Sequence, residues 1–233
     1  DWVFPQNSHF IVRKGDSWGA YDFAGNQELG LTQLTVLTGF KDGLLGKKNA
    51  KWTAFDLKGN IILPLDYEGI DLYSKGNLKV FVVRSPQNHM YGLIGMDGKQ
   101  IIPFSYDEIR MYREDANSDN CTFYEVIRDG KVGACNLMGQ EIVSPIYTEL
   151  GSFTLSGQHF FLATNGNKQG IIDFNGNTII PAEYFTSISY LNNTFIATSG
   201  KRKCVFELSG KLLSDNLSDV ECDKFSSLGD TEF

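Results

Sequence analysis

The chain has 233 residues, and its formal net charge is −7 at pH 7. Its 42% hydrophobic and 21% charged residues are ordinary globular values, which exclude a disordered chain. The longest basic run is Lys201–Lys203, and no apolar run approaches the roughly 20 residues that cross a bilayer. We therefore predict neither a nucleic-acid partner nor a membrane span.

One unit recurs along the chain and reads as a strand, a tight turn, a second strand, a proline and a tyrosine. Spacings of 34 to 41 residues between copies are typical of propellers and solenoids. We predict a single repeat domain over residues 1–233. Its copies are centred on the glycines that close the turns: Gly25, Gly59, Gly98, Gly139, Gly176 and Gly210.

The residues before each turn glycine indicate how the unit is built. A large side chain followed by glycine, as in Trp18-Gly19 and Tyr91-Gly92, predicts close approach of another backbone. Asp or Asn three residues before the turn glycine, as in Asp56, caps such a turn with its side chain. We interpret these acids as structural rather than catalytic.

The residues after the turn predict a further strand in each copy. It is rich in isoleucine, and we expect a proline to end it because proline lacks the backbone N–H. These prolines are Pro64, Pro103, Pro145 and Pro181, and the tyrosines that follow are Tyr67, Tyr106, Tyr147 and Tyr184. Four apolar runs predict another strand, at residues 78–83, 122–127, 160–163 and 194–197.

Each copy thus predicts about four short strands, two of them apolar without alternation. Such strands need cover on both faces, which stacked small sheets provide. The chain opens at Phe10–Val12 without a preceding strand, and Asp219–Leu228 stands where that strand belongs. We predict an all-β repeat protein, a closed β-propeller-like ring of about six short antiparallel blades. The alternative is an open β-solenoid of stacked hairpins.

The recurring motif resembles the bacterial WG β-repeat (WG-containing repeat) family. It is carried by Trp18-Gly19, Tyr91-Gly92, the Ile-Ile-x-Pro segments and Tyr106–Ile109, and it covers roughly residues 9–228. Thr53 and Cys204 replace the glycine, and Val132, Gln169 and Lys203 replace the aromatic residue. The resemblance implies bacterial origin, frequent export and a non-catalytic repeat module. It supplies no characterised active site.

Candidate functional residues are expected where the copies differ. The longest irregular segment, Arg110–Asn120, is polar, and such loops on rigid scaffolds commonly carry binding. Arg110, Tyr112 and Arg113 offer forked donors and an aromatic face to a carboxylate- or sugar-bearing ligand. A solvated connector is the competing interpretation. Asp115, Asn117 and Asp119 match the first positions of a calcium loop, but Val126 stands where its bidentate glutamate belongs.

No other pattern predicts a metal, and none predicts a cofactor. His9, His89 and His159 lie in different copies, and four cysteines without CxxC spacing are expected to be small buried hydrophobes. We therefore predict a non-enzymatic binding or scaffolding module that recognises a protein, peptide or glycan.

Two alternatives stay open. One is a propeller-type glycoside hydrolase with paired carboxylates at the channel mouth, drawn from Asp66, Asp71, Asp107, Glu108 and Glu149. The other is a structural spacer. The start at Asp1 without methionine fits a removed leader or a trimmed chain, and we favour export to the periplasm, cell surface or medium over a cytoplasmic location.

Overall fold

The computed structural model describes residues 2–113 and 120–215, and they form six four-stranded antiparallel sheets. In every sheet, consecutive strands are neighbours, so each sheet is a meander. The all-β repeat architecture is therefore confirmed. Closure of the six sheets into a ring stays a prediction.

The chain divides into two compact units, of which the first ends at Ile109 and also includes Cys121. The strands of its three sheets are β1 (Trp2–Gln6), β2 (His9–Lys14), β3 (Ser17–Asp22) and β4 (Gln27–Gln33); β5 (Val36–Phe40), β6 (Gly43–Lys48), β7 (Lys51–Asp56) and β8 (Ile61–Tyr67); and β9 (Gly69–Lys75), β10 (Leu78–Arg84), β11 (Tyr91–Gly95) and β12 (Gln100–Tyr106).

The second unit begins at Arg110 and continues from Thr122. The strands of the remaining three sheets are β13 (Glu108–Tyr112), β14 (Phe123–Arg128), β15 (Lys131–Cys135) and β16 (Glu141–Tyr147); β17 (Glu149–Leu155), β18 (Gln158–Asn165), β19 (Lys168–Asp173) and β20 (Thr178–Phe185); and β21 (Ser187–Leu191), β22 (Thr194–Ser199), β23 (Arg202–Glu207) and β24 (Leu212–Asp215).

Within each unit, neighbouring sheets bury apolar residues between their faces. In the first unit, Ile11, Ala20 and Leu29 of the first sheet pack with Leu44 and Phe55 of the second. In the second unit, the fourth and fifth sheets share a core in the same way. Stacking of small sheets, which the apolar strands predict, is thus observed within both units.

The predicted apolar runs correspond to β10, β14, β18 and β22, the second strands of their sheets. Consecutive residues point to opposite faces of a sheet, and β10, β14 and β18 each contain two buried neighbours, such as Phe160 and Phe161. Cover on both faces is therefore confirmed for these three strands. In β22 the half-buried Ile196 lies between the buried Phe195 and Ala197, so the cover is less complete.

The fourth strand of each sheet corrects the prediction of cover on both faces. It is an edge strand, and most of its residues are exposed or half-buried. In β8, Ile61 is 65% exposed, whereas Leu63 is buried. One face of this strand packs against the neighbouring sheet while the start of the other faces solvent.

Where glycine follows the large-residue position, at Gly19, Gly92, Gly133 and Gly170, it lies against a bulge in the outer strand. A Cβ added at Gly92 would lie 2.7 Å from Phe104 Cδ1 and 2.8 Å from Ile102 O. Opposite Gly92, the register jumps from Leu93–Ile102 to Tyr91–Tyr106, so the outer strand carries extra residues there. Close backbone approach is thus confirmed, and it explains the glycine.

Thr53 replaces this glycine in the second sheet. It is buried, and its hydroxyl donates a hydrogen bond to Leu63 O on the outer strand at 2.6 Å. The side chain therefore satisfies a carbonyl at the place where the other copies accept close backbone contact.

The prolines do not end their strands, which corrects that expectation. Pro64, Pro103, Pro145 and Pro181 lie inside β8, β12, β16 and β20. Each of these strands is at the edge of its sheet, and each proline lies within the bulge opposite the paired glycine position. Proline is tolerated at edges and bulges because its missing N–H breaks no ladder bond there.

One tyrosine is also placed differently from the prediction. Tyr67, Tyr106 and Tyr147 pair with the large-residue positions Trp52, Tyr91 and Val132. In the fifth sheet Phe185 takes this place opposite Gln169, while Tyr184 is exposed. The fifth copy has one more residue between its turn glycine and this position, which shifts the buried ring by one.

The turn glycines also set the stacking of neighbouring sheets. At Gly59, Gly98, Gly176 and Gly210, φ lies between 76° and 89°, which glycine adopts without strain. An added Cβ would collide with a carbonyl on the outer strand of the preceding sheet. These carbonyls belong to Glu28, Ile62, Ile142 and Ile179, respectively.

The beginning of the chain corrects the prediction that the first sheet lacks its own first strand. Trp2–Gln6 supplies the first strand of the first sheet and pairs with β2. The other side of β2 pairs with β3, so both partners of β2 come from the beginning of the chain. The segment Asp219–Leu228 lies outside the described residues.

The turn acids act as the sequence predicts, and their protonation gives a test. Asp22 accepts hydrogen bonds from Asn26 N and Asn26 Nδ2, both at 2.8 Å. The bond from the Asn26 side chain lowers the pKa of Asp22 below its ordinary 3.8. A lowered folded-state pKa contributes stability above the ordinary value, which is lost as pH falls through the folded pKa.

We therefore expect Asp22→Asn to keep the neutral-pH stability and to lose less stability than the natural chain below about pH 4. Asparagine already holds the equivalent turn at Asn136, where it accepts from Gln140 N at 3.0 Å. Urea midpoints at pH 7 and pH 3 measure the effect, with the exposed Asp71→Asn as control. If the urea midpoint fell equally between pH 7 and pH 3 for Asp22→Asn and the natural chain, this prediction would be contradicted.

Candidate binding surface

The residues predicted to bind a ligand lie at the start of the fourth sheet. Arg110, on β13, is exposed, and its Nη1 donates to Glu125 Oε1 at 3.1 Å. The Tyr112 ring stacks on Phe123 with centroids 4.3 Å apart and joins the core of the second unit. Arg113 follows β13 directly. The structure therefore uses one face of Tyr112 for packing, and a binding role for the three residues stays a prediction.

Cys121, which directly follows the segment Arg110–Asn120, is hydrogen-bonded to the third sheet. Cys121 N donates to Asn77 Oδ1 at 2.9 Å, and Asn77 Nδ2 donates to Cys121 O at 3.2 Å. This reciprocal pair fixes where the chain re-enters the fold before β14.

The cysteines of the described residues are buried, as the sequence predicts. They are Cys121, Cys135 and Cys204, while Cys222 lies outside the described residues. The Cys204 thiol also donates to Asp215 Oδ1 at 3.0 Å, so it ties the third strand of the last sheet to the fourth.

The calcium-loop alternative gains nothing from the described residues. Asp115, Asn117 and Asp119 lie outside them, and Val126, at the glutamate position, is fully buried in β14. Within residues 2–113 and 120–215, no group of three or more His, Cys, Asp or Glu side chains is arranged to hold a metal ion.

The acids considered for a glycosidase all lie at exposed positions. They are Asp66 on β8, Asp71 on β9, Glu149 on β17, Glu108 at the start of β13 and Asp107 before it. Burial and the Asp66 carboxylate raise the pKa of the neighbouring Tyr67. A glycosidase acid needs a sheltered site that raises its own pKa, and exposure of all five acids does not favour such a site.

A feature that the sequence analysis missed lies on the hairpins between the second and third strands of the first three sheets. In each hairpin a cation lies over the aromatic ring at the large-residue position, which is Trp18, Trp52 or Tyr91. The distances to the ring centroid are 5.3 Å for Arg13 over Trp18, 4.9 Å for Lys47 over Trp52 and 5.9 Å for Arg84 over Tyr91. The equivalent hairpins of the second unit have Val132, Gln169 and Lys203 in place of the ring.

These hairpins also concentrate the positive charge of an acidic chain. The six segments 13–18, 47–52, 84–91, 127–132, 164–169 and 198–203 hold twelve lysines and arginines and two aspartates. Their formal charge is +10, although the whole chain carries −7. The signal is present in the sequence, but only the strand pairing shows that all six segments are hairpins of the same kind.

A hollow of about 200 Å³ lies between the first and second hairpins. Its lining is polar apart from one leucine: Asp16, Gln33, Leu34, Thr35, Lys48 and Asn49. Lys48 Nζ donates to Gln33 Oε1 at 3.3 Å. Among the described residues, no carboxylate lies within 4.0 Å of Lys14, Lys47, Lys48 or Lys51. The lining of the hollow therefore holds one cation, Lys48, one acid, Asp16, and three neutral side chains that can form hydrogen bonds.

Sequence comparison matches three segments of the chain to one family of repeats. The model of the WG containing repeat family matches residues 52–84, 91–117 and 133–168. No curated protein matches the chain in sequence.

Solved structures resemble the chain only distantly. PorZ, a surface component of the type-IX secretion system of Porphyromonas gingivalis, is 8% identical with a TM-score of 0.33; the match covers 93% of this chain and 33% of PorZ. The WD40 propeller domain of Doa1 is 10% identical with a TM-score of 0.30, over 93% of this chain and 82% of that chain. This chain thus spans about a third of the length of PorZ. No helix in the described residues is long and apolar enough to cross a membrane.

Proposed function

We propose that this chain, three segments of which match the model of the WG containing repeat family, is a non-enzymatic module that binds a protein, peptide or glycan partner. The observation that carries the proposal is the set of three cations over aromatic rings on the hairpins of the first unit. Partly exposed aromatic and cationic groups on a rigid scaffold are typical of recognition surfaces.

The residues that recur in the copies make contacts that hold the fold together. The turn acids bond the turn backbone, the paired glycines accept the bulged outer strand, and the turn glycines meet the neighbouring sheet. Side chains that differ between copies are therefore the ones available for recognition. Bacterial origin and export, which the family resemblance implies, stay predictions.

Capture of a partner tests the proposal. The immobilised chain is incubated with cell extract and, separately, with a glycan array. We expect retention of a partner, and we expect Arg13→Ser/Lys47→Ser/Arg84→Ser to reduce it about tenfold or more, because several charge-assisted contacts are lost together.

The matched control is Lys131→Ser/Lys168→Ser/Lys201→Ser, which removes the same charge from hairpins of the second unit without an aromatic ring. Arg110→Ala/Arg113→Ala tests the site predicted from sequence. No partner on either support would overturn the binding role. Equal retention by the first triple variant and its control would remove the cation–ring hairpins from it.

A further inference from the structure

We propose that the cleft between the first two hairpins binds a carboxylated polysaccharide. The cleft is defined by Arg13–Trp18, Lys47–Trp52 and the connecting residues Gln33–Thr35. The inference rests on the proposed binding function and names its ligand class.

Charge is the first reason. The two hairpins hold five cations, Arg13, Lys14, Lys47, Lys48 and Lys51, and Asp16 is their one acid. The connection between the first two sheets carries no acid, whereas the stretch before the third sheet contains Asp66 and Glu68. A fixed excess of cations attracts a polyanion, and carboxylates are natural partners of lysine and arginine.

Aromatic side chains at the cleft favour a sugar. Trp18 packs against the core shared by the first two sheets, whereas Trp52 packs against the core shared by the second and third. Trp2 lies on β1 opposite Arg13 with 71% of its surface exposed. Arg13 is also the register partner of Trp18, so Trp2, Arg13 and Trp18 form one row across the first three strands of the first sheet. Aromatic rings offer amphipathic surface to the apolar faces of sugar rings.

Neutral polar side chains add the second element of sugar recognition. Gln33, Thr35 and Asn49 line the hollow and supply donors and acceptors for hydroxyl groups. Gln33 already accepts from Lys48, so a bound hydroxyl would extend an existing polar arrangement.

The repetition of the cation–ring pair favours a polymer over a compact ligand. Stacked sheets lie about 10 Å apart, so equivalent hairpins present their pairs at a regular interval. The third cation–ring pair, Arg84 over Tyr91, is expected to bind an anion more weakly than the first two. The Glu68 carboxylate already lies 3.8 Å from Arg84 and 2.8 Å from His89. The strongest contacts are therefore expected at the first two hairpins.

The experiment compares three immobilised polymers: polygalacturonate, its methyl ester and poly-glutamate. We expect binding to polygalacturonate that weakens with salt, and at least about tenfold weaker binding to the neutral ester. Lys47→Ser/Lys48→Ser is expected to weaken polygalacturonate binding about tenfold, while Lys131→Ser/Lys168→Ser leaves it unchanged.

Trp2→Ala separates sugar recognition from charge alone. It is expected to weaken polygalacturonate binding and to leave any poly-glutamate binding unchanged, because only the sugar uses the ring. Circular dichroism of each variant checks that the fold is kept. Unchanged polygalacturonate binding by Trp2→Ala would contradict the sugar contact.

Equal binding of poly-glutamate and polygalacturonate would overturn the assignment in favour of an acidic peptide. The assignment would also be overturned if polygalacturonate did not bind, or if Lys47→Ser/Lys48→Ser left its binding unchanged. If polygalacturonate fails while the chain still captures a partner through its cation–ring hairpins, only the ligand class is lost. If nothing is captured, the proposed function fails as well.

Discussion

Replacing Gly133 with alanine is expected to destabilise the second unit by about 3 kcal/mol, because the added methyl group overpacks a bulged strand. A Cβ at Gly133 would lie 2.6 Å from Pro145 N and 2.9 Å from Pro145 Cα. These are backbone atoms, so relief requires movement of the outer strand β16. Urea denaturation followed by far-ultraviolet circular dichroism measures the loss.

Gly130→Ala is the matched control in the hairpin of the same sheet. Gly130 has φ of +68°, and nothing lies within 4 Å of its added Cβ. Its replacement introduces only backbone strain, about 1 kcal/mol. If Gly133→Ala costs no more than Gly130→Ala, the close approach of the outer strand does not explain the repeated glycine.

Replacing His9 with leucine is expected to destabilise the first unit by about 3 to 5 kcal/mol, the usual range for removing one partner of a buried pair. His9 is fully buried; its Nδ1 lies 2.6 Å from Glu28 Oε2, and its Nε2 lies 2.8 Å from Phe40 O. Glu28 is on the first sheet and Phe40 on the second, so the imidazole joins neighbouring sheets. The substitution leaves the carboxylate and the carbonyl without this partner.

His89→Asn provides the comparison because it disrupts another His–Glu pair. His89 Nδ1 lies 2.8 Å from Glu68 Oε2, but the His89 side chain is 62% exposed. Asparagine suits the position because φ is +61° there, a value that asparagine tolerates. Exposed pairs are screened by water, so we expect a much smaller change in the urea midpoint than for His9→Leu.

A second variant shows whether the buried carboxylate causes the loss. Adding Glu28→Leu to His9→Leu should restore part of the lost stability, because it removes the unpaired charge. Similar losses for His9→Leu and His89→Asn would contradict a role of His9 in joining the two sheets.

The local repeat could be predicted from the sequence because its causes are local. Gly59 and Asp56 encode one turn within four residues, and the apolar run in β10 encodes a strand covered on both faces. The approach of an outer strand to Gly92 followed from the large-glycine pair for the same reason. The prediction that the prolines end their strands was wrong. The sequence shows that Pro103 lacks a backbone N–H, but it does not show that β12 is an edge strand.

The candidate surface was harder to predict because its parts are far apart in sequence. Arg110 and Tyr112 were noticed for lying in an irregular segment, yet Tyr112 stacks on Phe123. His9 lacks any nearby partner in the sequence, and only β4 and β5 bring Glu28 and Phe40 to its ring. No single copy reveals either arrangement.

The sequence by itself determined the six repeats, their turns and the family resemblance, because the spacing of glycine, apolar and aromatic residues carries that information. The tertiary structure decided which strand lies at the edge, that Trp2–Gln6 completes the first sheet, and that cations lie over Trp18 and Trp52. These depend on strand register and sheet stacking, which place residues from distant parts of the chain side by side.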